Sequence, residues 1–163
     1  MSEVSLPDVV SVEHLRVETV RGLPIVEDAS FAIKRGEVLG LVGESGSGKT
    51  TTALALLGYA SEGVRISGGS VVVDGQPLTG RSESDVRGIR GRVISYVPQD
   101  PSVALNPFFR VERLVSEVLR QHAPERNTRA EIQEALARVQ LPTDRPFLRR
   151  YPHQLSGGQR QRV

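Results

Sequence analysis

Cysteine is absent from the 163 residues, which removes disulfides, thiolate catalysis and cysteine-based zinc sites together. Tryptophan is absent too, and aromatic residues make up only 4%, so a core must be built from Val, Leu, Ile and Ala. No apolar run nears the roughly 20 residues of a membrane-spanning helix. The start, Met1 to Val10, lacks the basic and apolar stretches of a secretory signal. Lys34 and Lys49 are the only lysines, so arginine carries most of the positive charge. The 21 basic and 19 acidic side chains leave a formal +2, too little for an ordinary electrostatic nucleic-acid binder, and no nucleic-acid partner is expected. Acidic residues outnumber basic ones 10 to 6 up to residue 75, and basic outnumber acidic 15 to 9 beyond it. We read that asymmetry as solvated surface. What remains is a soluble globular balance, 38% hydrophobic and 25% charged.

Residues 1–8 read as a loose tail. Val9–Thr19 alternates irregularly and leans to β structure, and Ser30–Ile33 is a short apolar run before a Lys34-Arg35-Gly36 turn. Glu37–Val42 predicts a buried strand bounded by Gly43. Thr50–Leu57 predicts a helix stopped by Gly58. Ser70–Asp74 is a strand running into an Asp74-Gly75 turn, and Val93–Val97 a strand stopped by Pro98. Val111, Leu114, Val115, Val118 and Leu119 make one face of an amphipathic helix. Thr128 and Glu131 form a capping-box pattern ahead of a second helix, whose apolar face is Ile132, Ala135, Leu136 and Val139 and which Pro142 ends.

Two motifs carry chemistry. Gly43-Glu44-Ser45-Gly46-Ser47-Gly48-Lys49-Thr50 matches G-x-x-x-x-G-K-[ST], between an apolar strand and an apolar helix. Glycines let such a loop turn successive N–H groups toward an anion. The following helix adds its positive end. Lys49 would reach the β- and γ-phosphates, and the Thr50 hydroxyl would bind Mg²⁺. Leu155-Ser156-Gly157-Gly158-Gln159 is a second glycine-rich cradle, followed by Arg160-Gln161-Arg162. Alone, it could be a helix N-terminus capped by serine.

Together the two motifs resemble those of ATP-binding subunits of ABC transporters, in which LSGGQ is the signature. The resemblance runs from about Val9 to Val163. It implies an α/β fold: a P-loop NTPase core, an N-terminal antiparallel β part, and a helical subdomain at about 106–152, with the core sheet incomplete. Residues 9–163 would form part of one ATP-binding domain. The resemblance implies ATP and Mg²⁺ as cofactors, held by Gly43, Ser45, Gly46, Ser47, Gly48, Lys49, Thr50 and Thr51. Ser156, Gly157, Gly158 and Gln159 would meet the γ-phosphate held by a second ATP-binding subunit. Gln99 matches the family's glutamine that helps hold Mg²⁺ and the attacking water, so Lys49 and Gln99 are the expected catalytic residues, and Thr50 and Gln99 the metal-binding ones. Permease subunits in the membrane, and indirectly a solute-binding protein, are the other implied partners, at the cytoplasmic face.

Gln99-Asp100-Pro101, Ala104-Leu105-Asn106-Pro107 and Tyr151-Pro152-His153-Gln154 resemble the dipeptide, oligopeptide and nickel importer branch, apart from Pro98 and Ala104. The family's Walker B carboxylates and switch histidine follow the signature, and Val163 comes only four residues after Gln159. Residues 1–163 are therefore expected to bind nucleotide without useful turnover. Val71-Val72-Val73-Asp74 resembles a Walker B strand, but Gly75 follows and the segment precedes the signature, so we read it as a strand entering a turn. His153 is read as a packing residue, and His14 and His122 carry no motif. Val20 falls where the family usually stacks adenine on an aromatic ring. Rival readings are a soluble P-loop kinase or GTPase, which would lack LSGGQ, and a DNA-repair ATPase, which would carry a long coiled coil that no heptad array here supports.

Overall fold

A computed structural model describes residues 8–100 and 103–163. The expected tail lies outside these up to residue 7, as does Pro101, while Asp8 already opens the first strand. The chain divides into two compact units, Met1–Tyr96 and Val97–Val163.

The first unit is built on an antiparallel sheet of β1 (Asp8–Thr19), β2 (Pro24–Lys34), β3 (Val64–Val73) and β4 (Gln76–Pro77), ordered β2-β1-β3-β4. The irregular alternation of β1 has a local cause. Val10 and Val12 are buried, and so are Leu15 and Val17, which is a slip of one residue in phase. The slip falls at a register shift, where His14 takes φ 50° and its N–H is accepted by Ser30 Oγ at 2.9 Å. This bulge returns the apolar residues to one face. Opposite it, a Cβ on Gly69 would lie 2.3 Å from the His14 carbonyl oxygen, so β3 needs glycine there. Asp74 and Gly75 follow with φ 47° and 73°, the left-handed pair of a tight hairpin, and Asp74 pairs with Arg35 at 3.2 Å.

Helix α1 (Lys49–Ala55) and the short α2 (Glu83–Arg87) complete this unit. Ala55, Val86 and Ile89 join the valines of β1 and β3 in its core. Two segments depart from expectation. Glu37–Val42 is not a strand: Val38 and Val42 are 93% and 97% exposed. Val93–Val97 forms only an isolated parallel bridge, Ile94 to Arg90. A parallel strand needs neighbours on its flanks, and among the described residues no strand of the sheet pairs with either run. The sheet is accordingly antiparallel and not closed, within a mixed α/β fold.

The second unit is helical: α3 (Val111–His122), α4 (Arg129–Arg138), α5 (Arg145–Leu148) and α6 (Gly157–Arg162). Val111, Ile132, Leu136, Leu141, Phe147, Leu148 and Leu155 form its core. Val118, expected on the buried face of α3, is exposed. Only half of the expected capping box forms. Thr128 Oγ1 accepts the Glu131 N–H at 3.3 Å, but the Glu131 carboxylate turns to the Arg126 guanidinium at 2.7 Å. A charge-assisted pair outcompetes a neutral backbone donor. The Arg126 hydrogen bond holds the Glu131 carboxyl below its ordinary range, against a smaller desolvation effect. Helix α4 ends before Pro142, because Gln140 turns left-handed at φ 55° and Leu141 folds back to donate to the Leu136 carbonyl at 2.9 Å. Among the described residues no helix is long and apolar enough to cross a membrane.

Phe147 is 1% exposed at the centre of this core. Phe147→Ala is expected to cost about 3–5 kcal/mol, read as a lowered midpoint in urea unfolding.

Candidate functional site

Lys49, Thr50 and Thr51 sit in the first turn of α1, and the loop Gly43–Gly48 leads into them. Gly48 is the N-cap residue, buried, with φ 83°. A Cβ there would lie 2.9 Å from the Ile25 carbonyl oxygen. Glycine therefore lets the loop press against β2 while turning left-handed. The Gly48 carbonyl accepts from the Thr52 N–H at 2.8 Å and from Thr52 Oγ1 at 3.0 Å. Thr52 and Ala55 bury the inner face of α1, which leaves Thr50 on the exposed side.

The Lys49 ammonium is folded into its own loop. It donates to the Gly43 carbonyl at 2.8 Å, to the Glu44 carbonyl at 2.5 Å and to Ser47 Oγ at 3.4 Å. Ser45, Gly46 and Ser47 are exposed around it. This concentrates one positive charge and a serine-rich, glycine-rich backbone at the start of a helix, an arrangement suited to an anion of several oxygens. The Thr50 hydroxyl makes no hydrogen bond to the described residues.

The remaining site residues belong to the second unit. Gln99 is exposed, and its side-chain amide makes no hydrogen bond to the described residues. The preceding Pro98 carbonyl accepts from Gln161 Nε2 on α6 at 3.1 Å, which ties the Gln99 segment to the helix that follows the signature. Leu155 is buried and anchors the signature, while Ser156, Gly157 and Gly158 are exposed. Ser156 caps α6: its Oγ accepts the Gln159 N–H at 3.2 Å, and Gln159 Oε1 accepts the Ser156 N–H at 3.1 Å. Arg162, at the other end of α6, donates to the carbonyls of Val139 and Gln140 just after α4 at 3.2 and 3.1 Å.

Val20 is 63% exposed in the turn after β1. His14 pairs with Asp28 at 3.0 Å, and His153 stacks on Tyr151 with ring centroids 5.7 Å apart. Sequence reasoning did not single out Arg90. It donates to two carbonyls in the turn that follows α1, and the only signal for it is an arginine between two apolar runs.

A model of the ABC transporter family matches residues 26–163. The oligopeptide transport ATP-binding protein OppD of Escherichia coli K12 is 42% identical over 142 residues, covering 85% of this chain and 41% of that protein. The glutathione import ATP-binding protein GsiA of Salmonella paratyphi A is 37% identical over 172 residues, covering 99% and 28%. The chain thus spans less than half the length of these relatives. Among solved structures, cbiO1 of Clostridium perfringens, part of the transporter complex cbiONQ, is 26% identical with a TM-score of 0.72, covering 95% of this chain and 58% of that one. A dimeric bacterial ABC transporter cassette, MJ0796, is 25% identical with a TM-score of 0.73, covering 94% and 66%.

Gly48→Ala tests the loop's seat on β2. The left-handed backbone alone costs about 1–2 kcal/mol with a Cβ, and the contact with Ile25 adds to it. Thermal unfolding should show the loss, and exchange of the Thr52 amide should quicken.

Proposed function

Because the chain belongs to the ABC transporter family, we propose that it is the nucleotide-binding part of an importer's ATP-binding subunit, coupling ATP binding and hydrolysis to uptake of peptides or related small solutes. The observation that carries this is the presence of both glycine-rich cradles, Gly43–Thr50 and Leu155–Gln159, in one chain. The names of the relatives, oligopeptide transport and glutathione import, support the solute class.

The residues fit Mg-ATP. The Thr50 hydroxyl of the first unit is an exposed oxygen donor without a partner among the described residues, and Mg²⁺ takes such hard ligands; Gln99, exposed in the second unit, is assigned to the metal by the resemblance. When bound, Mg²⁺ supplies charge neutralisation on phosphate oxygens. Lys49 exchanges its bonds to the Gly43 and Glu44 carbonyls for phosphate oxygens, so the loop gives up internal contacts as it takes the anion. Ser45, Gly46, Ser47 and Thr51 line the same stretch. Ser156, Gly157, Gly158 and Gln159 act on nucleotide held by a second ATP-binding subunit. Permease subunits and, through them, a solute-binding protein complete the assembly at the cytoplasmic face of the membrane. Val20 contributes apolar contact to the base without stacking. Residues 1–163 tested alone should release phosphate only near background, since no Asp or Glu follows Gln159 within them. Positioned general bases contribute typically about 10²–10⁴-fold. Steady turnover abolished by Lys49→Ala would redirect the search to Asp74 and Asp100.

Equilibrium dialysis with Mg-ATP tests the core of this reading. Lys49→Ala should lose most of the binding, about 1.5–3 kcal/mol for a charge-assisted phosphate contact, and equal affinity would refute it. In the full-length protein, Ser156→Arg should leave binding to the monomer intact and abolish the ATP-dependent dimer in light scattering.

A further inference from the structure

We propose that Arg90 is a positioning residue for the phosphate loop, holding α1 in place from the end opposite Lys49 and Thr50; the proposal rests on the reading of Gly43–Thr50 as a Mg-ATP site. The turn that follows α1 meets the helix's last carbonyls, Thr52 by the Leu56 N–H, Leu54 by the Leu57 N–H and Ala55 by the Gly58 N–H, so the open carbonyls are those of the turn itself, at Leu57 and Gly58, where a cation also meets the negative end of the helix dipole. Helix α1 has no basic residue in its own last turn. The cation comes instead from 33 residues away. Arg90 Nε donates to the Leu57 carbonyl at 2.8 Å and Nη2 to the Gly58 carbonyl at 3.0 Å. Its other edge faces Glu83, with Nη1 2.6 Å from Oε1 and Nη2 3.4 Å from Oε2. The Tyr59 ring lies against the guanidinium, 5.8 Å from Cζ to its centroid.

This geometry needs a planar fork, since two carbonyls and a carboxylate are served by one group. The base of the fork is fixed as well. The Arg90 N–H donates to the Val86 carbonyl at 3.1 Å, and Val86 and Ile89 are core residues. The side chain itself is only about three-quarters buried (23% exposed), so core packing does not account for its placement. The link to the site is α1, whose seven residues span about 10 Å at 1.5 Å per residue. Gly48 seats one end of this short rod on β2, and Arg90 fixes the other. Releasing the Arg90 end lets the rod pivot about Gly48, which moves Lys49 and Thr50 relative to the loop carbonyls.

Mg-ATP titration of the purified chain, reading both the dissociation constant and the number of sites per chain, tests this against a merely stabilising role. Lost stability lowers the number of sites and leaves their affinity unchanged. A displaced α1 weakens affinity at an unchanged number of sites. Arg90→Ala is expected to raise the dissociation constant about tenfold and Arg90→Lys about threefold, the size of effect that small misplacements and lost hydrogen bonds produce. Both should also raise the Mg²⁺ concentration needed for half-maximal binding, because Thr50 rides on α1. Arg87→Ala, on the exposed side of α2, should change neither. Unchanged affinity in both Arg90 variants, or fewer sites of parental affinity, overturns the proposal while a loss in Lys49→Ala upholds the site. Parental binding by Lys49→Ala would overturn the site reading and the proposal together.

Discussion

The close approach of Gly48 to the Ile25 carbonyl is the contact on which the phosphate loop's place in this molecule depends. It exists because β1 is paired on both sides, to β2 and to β3, so that β2 is a fixed wall. The His14 bulge in turn keeps β1's apolar residues on the face that receives α1. Remove the bulge, and either Val10 and Val12 or Leu15 and Val17 would face away from the core. Thr52 and Ala55 would then lose the surface they bury against. A loop chemistry that reads as local, eight residues with three glycines, is thus seated by long-range strand pairing.

In both cradles the side chains that would meet an anion already hold partners in the loop. Lys49 spends its hydrogen bonds on Gly43, Glu44 and Ser47. Ser156 and Gln159 cap each other. Binding at either place is therefore an exchange of hydrogen bonds, and the net gain per bond is about 0.5–1.5 kcal/mol rather than the gross value. Charge decides which cradle gains more. The Lys49 ammonium trades neutral carbonyls for anionic oxygens, whereas Ser156 would give up a neutral cap. The first loop suits a ligand it holds by itself, and the second suits a ligand whose charge is already borne elsewhere, which accords with the action across a dimer that we propose.

Much of this was legible in the residues. The two motifs named the family, and the alternation, turn dipeptides and helix faces placed β1, β3, α1, α3 and α4. The misreadings share a cause. Glu37–Val42 and Val93–Val97 are apolar enough to be strands, but apolar sequence reports a preference for burial and not the presence of a partner. The capping box at Thr128 and Glu131 missed Arg126, a competitor two residues before the motif. Arg90 was invisible because its value lies in which carbonyls it meets, and Leu57 and Gly58 are remote in sequence.

The exposed segment before the loop has a physical consequence for the site. Among the described residues no backbone N–H of Val38–Val42 bonds another backbone group, so Gly43 is approached by an unpaired stretch. The loop is secured at Gly48 and through α1, and at its entry by the Ser47 N–H on the Glu44 carbonyl and by the Lys49 bonds to Gly43 and Glu44. The Lys49 bonds are those a phosphate would take. Ordering a residue costs about 1–2 kcal/mol of backbone entropy, so an anion that releases Lys49 from Gly43 and Glu44 must itself hold the loop's entry through its N–H groups. Strand partners for Glu37–Val42 would remove that cost by fixing Gly43 independently of Lys49. On the proposed reading, the loop's affinity for phosphate would be set as much by what pairs with Glu37–Val42 as by its own eight residues.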